Sequence, residues 1–91
     1  MQSEVKLTIH SDDAHSYIEV SEQLISHLKI GNQISSYSFI SPSGDRYFLE
    51  GDLDGDLLIE ALCRQSISFV FEEKLYECPG PFRAYPRVIR H

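Results

Sequence analysis

The sequence predicts a small α+β domain, an antiparallel sheet with two helices in the order ββαββαβ, followed by an extended C-terminal arm. Three observations lead there. Several short runs alternate apolar and polar residues, as half-buried strands do. Two other runs space their apolar residues as helices do, each opening near a residue suited to capping. Strands and helices mixed along ninety-one residues, with no internal repeat, suit one domain over residues 1–91.

Val5, Leu7 and Ile9 alternate with Lys6, Thr8 and His10, which predicts a first strand. Ser11-Asp12-Asp13 then reads as a turn, because short polar side chains compete for backbone hydrogen bonds. Two readings fit residues 14–29. In one, Ala14, Tyr17, Ile18, Leu24, Ile25 and Leu28 form the face of a single long helix. In the other, which Tyr17, Ile18 and Val20 favour, a strand from His15 to Val20 leads into a shorter helix. Ser21 is then its N-cap, Glu22 suits its positive end, and Gly31 is its stop.

Ser41-Pro42-Ser43-Gly44-Asp45 predicts a hairpin over residues 36–50, with a three-residue loop in which Ser41 faces Asp45. That register sets Phe39 opposite Tyr47 and Tyr37 opposite Leu49, all four on one buried face, and a slip by one residue would break this set. Ser35, Ser36 and Ser38 read as the polar side of that strand. Asp52 or Asp54 should cap the second helix, whose apolar face is Leu57, Leu58, Ala61 and Leu62, with Arg64 near its end. Ile67 to Glu73 alternates again, and Val70 on its second face suggests a strand covered on both sides. Three prolines between Pro79 and Pro86 exclude a helix or central strand there, so residues 79–91 read as an extended, basic, proline-rich arm.

The chain is 42% hydrophobic, with five Tyr and five Phe, which excludes a disordered chain. No apolar run approaches the roughly 18 residues of a membrane-spanning helix. The opening Met1-Gln2-Ser3-Glu4 lacks the basic-then-apolar pattern of a secretory signal, so a cytoplasmic setting is expected. Two cysteines, Cys63 and Cys78, are then expected as reduced thiols. Charge is unevenly placed. Residues 1–78 hold five Lys/Arg against fourteen Asp/Glu, a net −9, while residues 79–91 hold Arg83, Arg87 and Arg90 and no acid, a net +3. The acidic body should repel nucleic acid.

Three groups of residues stand out as candidate sites. Glu50, Asp52, Asp54 and Asp56 could gather around a divalent cation, but the glycine and final glutamate that an EF-hand loop requires are misplaced, and a capped, acid-rich helix start explains the cluster. No metal or cofactor is therefore expected. Cys63 and Cys78 could act as nucleophiles beside His10, His15, His27 or His91, yet nothing in the sequence activates them, and Cys63 follows Leu62 as a small core residue would. The arm interleaves Phe82, Arg83, Tyr85, Arg87 and Arg90 with Pro86, Val88 and Ile89, a mixture that could bind phosphates and stack on bases but, beside an acidic body, better suits an acidic protein surface, of its own subunit, a second subunit or a partner.

The stretches Ile34-Ser35-Ser36-Tyr37-Ser38-Phe39, Tyr47-Phe48-Leu49-Glu50-Gly51-Asp52-Leu53-Asp54 and Arg83-Ala84-Tyr85-Pro86-Arg87 resemble a group of small bacterial proteins with no known activity, some of which occur with mobile or accessory genes. The resemblance spans most of residues 15–87 and implies a bacterial accessory protein. Taken together, the sequence leads to a non-enzymatic protein that binds another macromolecule and forms a homo-oligomer, a dimer being the simplest. The alternative is a small-ligand or divalent-metal protein, a minor enzyme included, using the Glu50–Asp56 region.

Overall fold

The alternation at the start of the chain forms a strand, β1 (Val5–Ser11), around which the other elements assemble. The computed structural model describes residues 4–12, 15–51 and 53–76. After β1 come β2 (Ser16–Ser21), α1 (Glu22–Leu28), a 3-10 turn at Gly31–Gln33, β3 (Phe39–Ile40), β4 (Arg46–Glu50), α2 (Asp54–Arg64) and β5 (Phe69–Leu75), so the predicted ββαββαβ order is present. The sheet order is β3-β4-β2-β1-β5. Every pairing is antiparallel except β1 with β5, which is parallel. That exception follows from α2, a helical crossover that carries the chain from β4 past two strands to the far edge. Among the described residues no helix is long and apolar enough to cross a membrane.

Residues 16–21 form a strand, and α1 follows it directly. The Ser21 hydroxyl accepts a hydrogen bond from the Leu24 amide (3.2 Å), as an N-cap does. The helix ends earlier than Gly31 would have it. Lys29 takes the left-handed position (φ 60°), and its N–H reaches the carbonyls of Ile25 and Ser26. The turn comes before Ile30 because Ile30 is a core residue, 2% exposed.

Both helices cover the same side of the sheet. Their Ile25, Leu28, Leu58, Ala61 and Leu62 pack with Leu7, Ile18, Val20, Ile30, Ile34 and Leu49 into the main core. Gly55 lets α2 approach closely, since a Cβ there would lie 3.1 Å from the Ile18 Cδ1.

The hairpin register differs by one residue from the predicted one. Phe39 pairs with Phe48 and Ile40 with Tyr47. The loop holds four residues, not three, because Ser41 pairs with Arg46, its N–H donating to the Arg46 carbonyl (2.8 Å). Asp45 is drawn into the loop, where its carboxylate accepts from the hydroxyls of Ser41 (3.0 Å) and Ser43. Those hydroxyls, Ser43 first, hold the Asp45 carboxyl below its usual pKa. Gly44 supplies the positive φ of 80° that this loop needs. The slip keeps Tyr47 and Leu49 on the helix side, sends Phe39 to the other side, and leaves Tyr37 63% exposed.

The last strand also departs from expectation. β5 is an edge strand, with Val70, Phe71 and Leu75 exposed, not a strand covered on both faces. Apolar residues on both faces of a short strand suit a central position and an uncovered edge equally, so the pattern could not separate them. The arm residues Phe82, Arg83, Tyr85, Arg87 and Arg90, like Asp13, Asp52 and Cys78, lie outside the described residues.

Candidate functional site

Among the described residues, no strand pairs with the outer side of β5. Val5 N–H donates to the Ser68 carbonyl and Tyr76 N–H to the Ser11 carbonyl. In a parallel ladder the bonded residues alternate, so Val70, Glu72 and Lys74 turn their backbone groups towards β1. The backbone groups of Phe69, Phe71, Glu73 and Leu75 then point outward from the sheet. Above that edge stand Phe71 (44% exposed) and Leu75 (73%), with Val70 on the other face (38%). Phe69 and Phe71 meet edge to face, with centroids 5.5 Å apart. Proteins commonly guard an exposed edge with charge, and Glu72, Glu73 and Lys74 stand on this one. Lys6 reaches Glu72 at 3.4 Å in a largely exposed pair. The opposite edge, β3, is only two residues long.

The sheet face opposite the helices carries a second cluster, Tyr17, Phe39 and Phe48, with Tyr76 packed against it. Beside it His10 is buried, with both ring nitrogens engaged. Its Nε2 lies 2.7 Å from Glu19 Oε1, and its Nδ1 lies 2.8 Å from the Tyr76 hydroxyl. A carboxylate only accepts, so Nε2 carries the proton, and in the neutral ring Nδ1 accepts from the Tyr76 hydroxyl. The imidazole stacks on the Tyr76 ring (5.8 Å) and tilts against Phe48 (5.4 Å). Arg46 Nε approaches the second Glu19 oxygen at 3.7 Å. The result is a satisfied polar network inside an aromatic patch. Sequence spacing did not reveal it, because His10 and Tyr76 are 66 residues apart. The one local signal was a histidine on the polar side of an alternating strand.

Of the acidic residues at 50–56, the three described, Glu50, Asp54 and Asp56, lie apart. Asp54 is 2% exposed, and it does not cap α2: the N-cap position is Leu53, with no side-chain cap. The Asp54 carboxylate instead accepts from the Ser35 amide (3.0 Å), the Ser35 hydroxyl (2.8 Å) and the Ser38 hydroxyl. Ser38 Oγ in turn accepts from the Glu50 amide (2.9 Å). The carboxylate thus ties the 35–38 loop to the start of α2, a stronger demand than the helix end makes. Glu50 sits on the aromatic side of the sheet, opposite Tyr17, while Asp56 is exposed in the first turn of α2. Among the described residues no three His, Cys, Asp or Glu side chains lie together as a metal site.

Cys63 is exposed on α2, contrary to the buried position expected of it. The buried face of α2 is Leu58, Ala61 and Leu62, and Cys63 falls one step beyond it. Neighbouring Arg64 is paired with Glu60 at 2.7 Å. A shallow depression of about 280 Å³ lies between His15, Tyr17, Tyr37, Glu50 and Leu53, beside the aromatic cluster. Comparison with known proteins gave no match, whether to a family model, a curated protein or a solved structure.

Proposed function

We propose that this domain is a non-enzymatic interaction module that assembles with a second copy of itself through the β5 edge. The observation that carries this reading is a seven-residue strand, paired on one side only among the described residues, with Val70, Phe71 and Leu75 exposed beside it. Antiparallel pairing across a two-fold axis continues the sheet from one protomer into its partner. Because the odd-numbered residues offer the outward backbone groups, odd residues must pair with odd ones, which a two-fold axis at any residue of the strand allows, so the side chains choose among the registers. An axis at Glu73 sets Phe71 of one protomer opposite Leu75 of its partner, and Glu72 opposite Lys74, twice over. One like-charged pair, Glu73 with its copy, opposes this. Each apolar side chain that the pairing buries fully contributes about 1.5–3 kcal/mol. An axis at Phe71 would instead leave Glu73 opposite Phe69 and Glu72 opposite Val70, with no ion pair across the junction.

The metal-binding alternative has less support, since the carboxylate of Asp54 is already committed to Ser35 and Ser38. A cytoplasmic setting goes with the interaction reading, because an exposed thiol such as Cys63 is kept reduced there. A role as a bacterial accessory protein rests on the resemblance of residues 34–39, 47–54 and 83–87.

Light scattering on the wild type and on Phe71→Lys/Leu75→Lys tests the assembly. The wild type should have the mass of a dimer and the variant that of a folded monomer, and the melting temperature should rise with protein concentration in the wild type but not in the variant. A monomeric wild type, or a variant that stays dimeric, contradicts the proposal.

A further inference from the structure

The aromatic side of the sheet is covered by no described helix or strand, yet Tyr17 is 4%, Phe39 3% and Phe48 7% exposed. Both helices pack on the other side. We propose that residues 79–91 of the same chain are the ligand of this face, lying across it as an extended segment.

Four features support that occupant. The first is position: Tyr76 follows an edge strand, yet its ring already stacks on His10, and its hydroxyl bonds that imidazole at 2.8 Å. The last described residue thus already places its side chain on this face. Length is the second. Thirteen extended residues span roughly 40 Å, whereas five strands separate the sheet edges by roughly 20 Å, so residues 79–91 can cross from β5 to β3. Charge is the third. The segment carries Arg83, Arg87 and Arg90 and no acid, and the face carries Glu19 and Glu50 on a body of net −9. The last is side-chain chemistry. Phe82, Tyr85, Val88 and Ile89 are interspersed among those arginines, and rings with aliphatic stems complement the cluster of Tyr17, Phe39 and Phe48. Prolines 79, 81 and 86 limit the freedom that such a segment loses on docking. The depression between His15, Tyr17, Tyr37, Glu50 and Leu53 lies along this path and offers two tyrosine rings and a carboxylate to an arginine.

The exposed Val70, Phe71 and Leu75 of the β5 edge are a separate question, because that edge offers backbone groups as well as side chains. Docking of the arm on the aromatic face leaves that edge open for a second copy.

A spin label distinguishes the possible seats of the arm in the full-length chain. With Cys63→Ser, Cys78→Ser and Ala84→Cys, a nitroxide on Cys at position 84 should remove most of the signal intensity of Tyr17, Phe48 and Glu50 in isotope-labelled protein, and leave α2 sharp. A sample mixing labelled, nitroxide-free chains with unlabelled, nitroxide-bearing chains should show no such loss. Broadening confined to β5, broadening nowhere, or the same loss at Tyr17, Phe48 and Glu50 in the mixed sample overturns the proposal. A second readout is the chain ended after Cys78. Its melting temperature should fall by an amount on the order of 10 °C, and a synthetic peptide of residues 79–91 should restore part of it. An unchanged melting temperature contradicts the assignment.

Discussion

Asp54 is buried against three donors from the 35–38 loop, and what it does could not be read from its position before a helix. An acid at a helix start suggests a cap, which is worth about 1 kcal/mol. A buried carboxylate that satisfies an amide and two hydroxyls is worth more, because its removal strands those donors. Asp54→Ala should therefore cost about 3 kcal/mol in urea unfolding, and Asp54→Asn, which keeps one acceptor oxygen, should cost less. A loss near 1 kcal/mol for the alanine variant would return Asp54 to a capping role. Cys63 teaches the same point from the other side. Its place beside Leu62 suggested burial, yet helical geometry turns adjacent residues by about 100°, enough to carry Cys63 off the apolar face and into solvent.

Elements were read more securely than their partners. β1, the face of α2 and the element order follow from periodicity and capping, which are local. Residues 14–29, by contrast, fitted both one long helix and the strand and helix that β2 and α1 form, because Ala14, Tyr17 and Ile18 suit either period. The hairpin was legible as a hairpin but not in register. Its loop length depends on whether Asp45 joins the turn or the strand, and the hydroxyls of Ser41 and Ser43 decide that. One residue in the loop moves Phe39 from one side of the sheet to the other. The two registers make opposite demands on Tyr37 and Phe39. In the observed one, Phe39→Ala should cost about 3–5 kcal/mol, while Tyr37→Ala should stay within about 0.5 kcal/mol, as surface changes do. Equal, large losses from both variants, measured by denaturant unfolding, would restore the register that sets Tyr37 in the core.

At the scale of the whole molecule, the sheet separates two environments that the sequence could not assign. One side is a conventional helix-covered core, and the other is an aromatic patch holding the His10–Glu19–Tyr76 network. That network unites β1, β2 and the residue after β5, and pairings over such sequence distances leave no local periodicity to detect. The same topology exposes β5, since the α2 crossover delivers the last strand to an edge. Self-assembly through that edge is the central functional claim, and amide hydrogen exchange resolved by residue tests it most directly. The amides of Val70, Glu72 and Lys74 bond to β1 and should be protected at every protein concentration. Those of Phe71, Glu73 and Leu75 face outward, and should be protected at high concentration and lose that protection on dilution or in Phe71→Lys/Leu75→Lys. If Phe71, Glu73 and Leu75 exchange at unprotected rates at every concentration while their neighbours stay protected, β5 does not pair with a second copy.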